Sequence, residues 1–321
     1  MGREWIRALV AAALLAASVP LPETAARAEE AWRKEAGLPV PSMGLHASVL
    51  NGKIFVVGGR YIPAEPRPTH ITQVFDPASG SWSRAADMPT ARGFLGTAVA
   101  GGRLYAMGGS PNMNEHDPAV GIVEIYDPAT DRWSSGPDMP TPRADLAAST
   151  VDGRIYAIGG TRHVGVDALG TVEMYDPVSG TWTRKADMPT PRLHLTSCVA
   201  GGRIYVVGGG PEWPVPTATF EIYDPAADNW SRGADMPTPR TAMWCAALEG
   251  KIYVAGGLSW ENEALATVEV YDPATDEWSN APDLGTPRML LAAESLGGRA
   301  YVLGGAATNY ESQSAVESLK P

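Results

Sequence analysis

The chain has 321 residues and carries 36 acidic against 25 basic side chains, a net charge of −11. That balance excludes a nucleic-acid binder, whose phosphate contacts need a basic surface, and a protein held on anionic membranes. It fits a soluble, exported protein.

The first element is a leader. Arg3 and Arg7 flank the start, Ala8 to Ala17 is an unbroken apolar run, and Ala26-Arg27-Ala28 fits a small-x-small cleavage site. Residues 1–28 are expected to be a secretory signal peptide cut after Ala28. A membrane anchor is the alternative, but the run is short of the ~20 residues that span a bilayer. No cysteine follows it, so a lipid anchor is not indicated. The expected location is the periplasm or outside the cell, with no membrane insertion after cleavage.

Residues 29–321 form one domain by the same reasoning. Gly-Gly pairs stand at 58–59, 108–109, 159–160, 208–209, 256–257 and 304–305, a period of 48 to 51 residues. A fixed period of this size marks a repeat architecture. Each copy reads as four short strands. In the second, Gly93–Val99 is the first strand, Gly101-Gly102 a hairpin turn, and Leu104–Met107 the second strand, which runs into Gly108-Gly109. After a variable loop, Ile122–Tyr126 is the third strand and Arg132–Ser135 the fourth. The hairpin pairs, from Asn51-Gly52 to Gly297-Gly298, suit the positive φ that a two-residue turn demands. Asp-Pro pairs such as Asp127-Pro128 begin the last turn of a copy. The tyrosines ahead of each Gly-Gly and the tryptophans of the fourth strands recur in register, as packing units do.

A Gly-Gly doublet, a tyrosine beyond a variable loop, and a tryptophan seven residues later (Tyr126 to Trp133, Tyr175 to Trp182) resemble the kelch motif. The resemblance covers the whole of residues 29–321. It implies an all-β fold, a six-bladed kelch-type β-propeller with four-stranded blades around a central channel. The last copy stops at Ala315–Leu319, before any tryptophan strand, whereas Trp32 begins the domain. The N-terminal strand is therefore expected to complete the sixth blade and close the ring.

Strand alternation places the variable loops and the starts of the first strands on one face, where binding residues are expected. Arg92, Arg143, Arg192, Arg240 and Arg288 precede the first strands there. Either they converge on an anionic ligand, or they pair between blades with Glu124, Glu173, Glu221 and Glu269. His46, Asp145, His194, Trp244 and Glu294 break the repeat where it lines the channel. The expected binding set is Arg143, Asp145, Arg192, His194, Trp213, Arg240, Trp260 and Tyr310. His194 and Asp145 are the acid–base candidates, with a solvated channel wall as the alternative. Histidines 46, 70, 116, 163 and 194 are scattered, so neither a metal nor a cofactor is expected. Cys198 and Cys245 fall on opposite strand faces and are expected to be buried free thiols rather than a disulfide.

The expected function is an exported binding module for a protein, peptide or glycan. The architecture is also similar to that of N-acetylneuraminate epimerases, which implies a sugar mutarotase as the alternative. Mutarotation needs only an acid, a base and a clamp at one anomeric centre.

Overall fold

The computed structural model describes residues 31–61 and 67–321. The expected signal peptide lies outside them. Every regular element among the described residues is a β-strand, and six four-stranded antiparallel sheets stand around an axis. The innermost strands are His46–Leu50, Gly96–Ala100, Ala147–Val151, Thr196–Ala200, Trp244–Leu248 and Ala292–Leu296. Each neighbours the next, and the sixth returns to the first. Each sheet steps outward in chain order, as in Gly96–Ala100, Arg103–Met107, Val123–Asp127 and Arg132–Ser135. The sixth blade takes its outermost strand from the other end of the chain, with Arg33 and Lys34 pairing antiparallel with Ser318 and Glu317.

The inner hairpins follow from their turn residues. All six turn pairs have positive φ at both positions, including Glu249-Gly250. The Gly-Gly doublets serve a different purpose. The Gly59 N–H donates to the Arg92 carbonyl, where the chain passes into the second blade. A Cβ on Gly58 would lie 2.5 Å from that carbonyl, and Gly59 holds φ +89. Only glycine allows both the close approach and the conformation.

The core is distributed over the seams between blades. One cluster joins Phe55, Val57 and Val74 of the first blade to Leu95, Leu104 and Tyr126 of the second. Each fourth-strand tryptophan also ties its blade to the one before. Trp82, Trp133, Trp182, Trp230 and Trp278 donate Nε1–H to the carbonyls of Ala36, Ala86, Pro137, Ala186 and Ala234 at 2.8–3.0 Å. Trp32 completes the circle on Pro282 at 2.7 Å.

Two details depart from the expectation. The first strand of the second blade starts at Gly96 rather than Gly93, because the chain turns through a left-handed residue at Phe94. The third variable loop carries its own hairpin, Thr161–His163 with Val166–Ala168. Against it lies the second loop, through Ala119 N–H to Arg162 O and Val164 N–H to Asp117 O.

Candidate functional site

Gly44, Phe94, Asp145, His194, Ala242 and Leu290 occupy one equivalent position, just ahead of each inner strand, and all have φ between 49 and 60. Their backbones bond in a closed circle. Phe94 N donates to Gly44 O, Asp145 N to Phe94 O, His194 N to Asp145 O, Ala242 N to His194 O, Leu290 N to Ala242 O, and Gly44 N to Leu290 O, at 2.8–3.1 Å. The left-handed conformation costs a non-glycine residue about 1–2 kcal/mol. Here it is offset by a hydrogen bond that each N–H and C=O on the axis would otherwise lack.

This collar divides the channel. On the loop face lies a recess of about 120 Å³ lined by Met43, Phe94, Met113, Leu290, Trp213 and His194, with Arg60, Glu115 and Tyr310 among its walls. The His194 ring sits 4.7 Å from Trp213 and 5.3 Å from Phe94, in edge-on contacts. Trp213 is held there by its N–H to the carbonyl of Gly165 in the neighbouring hairpin. Beneath the collar His46 meets Trp244 edge-on at 4.5 Å. Both line the closed core of the channel, together with Asp145 and His194.

Asp145 Oδ1 is 3.1 Å from His194 Nδ1, off the line of a well-formed hydrogen bond. Burial pushes the Asp145 carboxyl well above the usual carboxylate range. Burial, then the nearby His46, lowers His194 to about 3. Both shifts favour the uncharged forms, the carboxylic acid and the neutral imidazole. An acid and a base thus meet in the collar, and of the two only His194 lines the recess.

The structure brings together Asp145, His194, Trp213 and Tyr310 of the expected set. Trp260 stands apart, 60% exposed on the rim of the fifth blade. The arginines are a correction. Arg143, Arg192 and Arg240 are fully buried. Arg143 and Arg192 reach the carboxylates of Glu173 and Glu221 at 2.8 Å, and Arg240 pairs with Glu269. Each also donates to the first Gly-Gly carbonyl of its blade, those of Gly159, Gly208 and Gly256. Nor do they join blades, because arginine and glutamate belong to the same one. The guanidinium folds back into its own sheet and pins the incoming chain, leaving no donor facing the channel mouth. In the first blade, where Ser42 replaces arginine, Gln73 replaces glutamate and bonds both N–H and C=O of Val40.

Sequence reasoning missed Phe94, Leu290 and Arg60. The first two stand two residues beyond Arg92 and Arg288, the offset that Asp145 and His194 have from Arg143 and Arg192, so the signal was present in the repeat. Arg60 follows Gly59 where other copies carry Ser110, Thr161, Gly210, Leu258 and Ala306. Its Nε is buried without a hydrogen-bond partner among the described residues.

Comparison with known proteins agrees with this geometry. The KLHDC2/KLHL20/DRC7 Kelch-repeats domain matches residues 27–210, and the Kelch motif matches residues 191–237 and 239–285. Kelch-like protein terF of Aspergillus terreus is 35% identical over 136 residues, covering 40% of this chain and 29% of that protein. Human Kelch repeat and BTB domain-containing protein 12 is 32% identical over 145 residues, 40% of this chain and 23% of that one. Kelch-like ECH-associated protein 1B of Danio rerio is 34% identical over 108 residues, 34% and 18% respectively. The chain therefore spans less than a third of these curated relatives. The solved structure of YjhT superposes with a TM-score of 0.76 at 15% identity, over 87% of this chain and 95% of that one, a likeness of fold.

Proposed function

The chain belongs to the kelch-repeat family, and from that premise we propose that it is an exported binding module whose loop-face recess receives a segment of a protein or peptide. Kelch-repeat propeller homologues typically mediate protein interactions. The carrying observation is the recess itself. Met43, Met113, Phe94 and Trp213 offer an apolar, polarisable pocket, while Arg60, whose Nε has no hydrogen-bond partner among the described residues, stands in its wall. Such a site suits an aromatic or aliphatic anchor side chain with a carboxylate beside it. Export rests on the leader read at residues 1–28.

Selection of displayed peptides against residues 29–321, followed by titration, tests this reading. Trp213→Ala and Arg60→Ala should each weaken a selected peptide by tenfold or more, the scale of a buried interface anchor at ~2 kcal/mol. Equal binding by both variants would exclude the recess.

A second reading has its own observation. Asp145 and His194, 3.1 Å apart, are an acid and a base in the collar, and His194 faces a pocket with an aromatic wall. A carbohydrate-active enzyme such as a sialic acid mutarotase needs that pairing, and a glycan is then the ligand. Magnetisation-transfer NMR with acidic and neutral sugars separates the two. Catalysed anomer exchange that is lost in Asp145→Asn supports the enzyme, and absence of exchange leaves the peptide-binding module.

A further inference from the structure

The half of the channel on the far side of the collar has a chemistry of its own. It is a cavity of about 220 Å³ walled by all six inner strands. At its level the second and third residues of neighbouring inner strands meet across each seam, and they are matched. Ser48 donates to Thr97 at 3.0 Å, Ser149 and Ser197 share a hydrogen bond at 2.8 Å, and the Cys198 thiol lies against that of Cys245. Glu294 occupies the third position in the sixth blade, and the register sets it against Ala47.

No lysine, arginine or histidine lines this cavity, and Glu294 joins no ion pair among the described residues. Its one hydrogen bond comes from the Ser295 N–H, and burial raises its carboxyl to about 8. Cys198 is the thiol that senses its charge, with Cys245 beside that thiol, and Tyr301 is the partner of Glu294 on the next strand; burial holds Cys198 protonated. Thr150 Oγ1, also on the wall, is buried without a partner. Trp244 is also on the wall. A half-buried carboxyl that joins no ion pair among the described residues, hydroxyls with free acceptor capacity, and an indole together match a positively charged group with an apolar shell. A carboxylate attracts such a group by charge, and an indole by its quadrupole.

We propose that the channel cavity opposite the loop face is a second binding site, taking a small organic ammonium compound against Glu294 and Trp244. It is independent of the loop-face recess, from which the collar separates it. A bound cation favours the ionised carboxyl, so binding below pH ~8 expels the Glu294 proton to solvent.

Tetramethylammonium chloride and methylammonium chloride are the probes, with residues 29–321 as the protein and sodium chloride holding ionic strength constant. Saturation-transfer NMR on the methyl protons should give saturable binding. Glu294→Gln should weaken it about tenfold or more, and His194→Gln should leave it within twofold, as expected for one lost charge partner. On the unaltered protein, carboxyl-carbon NMR should show the Glu294 titration moving to lower pH when the probe is present. This readout does not depend on how any variant folds. Absence of saturable signal up to about 50 mM, equal affinity in Glu294→Gln, or an unmoved carboxyl titration would each overturn the site. Displacement by sodium at equal concentration would overturn its assignment to an organic cation.

Discussion

The Arg143 guanidinium and the Glu173 carboxylate meet 2.8 Å apart with almost no access to solvent. Burial lowers Arg143 to about 10 even with its partner in place. A charge so enclosed depends on its partner, and removing one member of a buried pair costs about 3–5 kcal/mol. Glu173→Ala should lower chemical stability by that amount. The double variant Arg143→Ser, Glu173→Gln copies the neutral Ser42 and Gln73 of the first blade and should lose less than the two single changes combined. Urea unfolding measures both. A Glu173→Ala protein within about 1 kcal/mol of the parent would refute this account of the pair.

Ring closure rests on Arg33, Lys34 and Trp32. Deleting residues 29–41 leaves the strand Val316–Leu319 as an open edge, which templates association. The truncated chain should melt roughly 10 °C lower, a few kcal/mol for a domain of this size, and should self-associate in sedimentation velocity. An unchanged melting temperature would mean that the seam is not closed by this strand.

Cys198 and Cys245 are both buried and free. They stand on opposite faces of their own strands, and this is why they meet, since facing sheets of neighbouring blades present opposite faces to each other. Burial, then hydrogen bonding to Cys245, raises the Cys198 thiol well above its ordinary range, so the reactive thiolate is scarce. Native protein should resist thiol reagents, and unfolded protein should titrate two thiols per chain. Because Ser149 and Ser197 fill the equivalent seam, replacing both cysteines with serine should cost little. A marked loss of stability would show that the sulfurs are needed for packing.

Four titratable groups around the channel give stability a defined pH profile. Glu294 is raised to about 8 from 4.5, so between these values the native state keeps a proton that the unfolded chain has released. Stability therefore falls as pH rises through that window. His46 and His194 are lowered to about 3 from 6.5, so stability falls as pH drops from 6.5 toward 3. The two trends oppose each other below 6.5, whereas above it the Glu294 trend runs without the histidines; Asp145 is raised in the same sense as Glu294. Glu294→Gln should flatten the decline in melting temperature between about pH 6.5 and 8. A slope identical to the parent's would show that Glu294 is already ionised there.

Much of this molecule was legible in its chain. The Gly-Gly period, the turn pairs and the matched ends each state a backbone requirement that only certain residues meet, so blade number and closure could be read directly. The site was legible only in part. Asp145 and His194 stood out because they break the repeat, and the hypothesis that they converge needed one register. Phe94 and Leu290 occupy the same register but look like ordinary core residues, and nothing local marks them as lining a recess. The arginines misled because a periodic charge has the same appearance whether it faces solvent or its own sheet. Their partners, including Glu317, recur 29 to 32 residues beyond them, which is the trace of an internal pairing.

The collar has one more consequence. It is made of main chain alone, so the scaffold does not depend on which side chains it carries. One set of dihedral angles serves glycine, alanine, leucine, phenylalanine, aspartate and histidine alike. The six positions work as a dial of interchangeable letters pointing at a common axis. Recognition on this fold can be rewritten letter by letter, each change costing only the local preference of one residue for a left-handed turn, while the hoop that displays them stays intact.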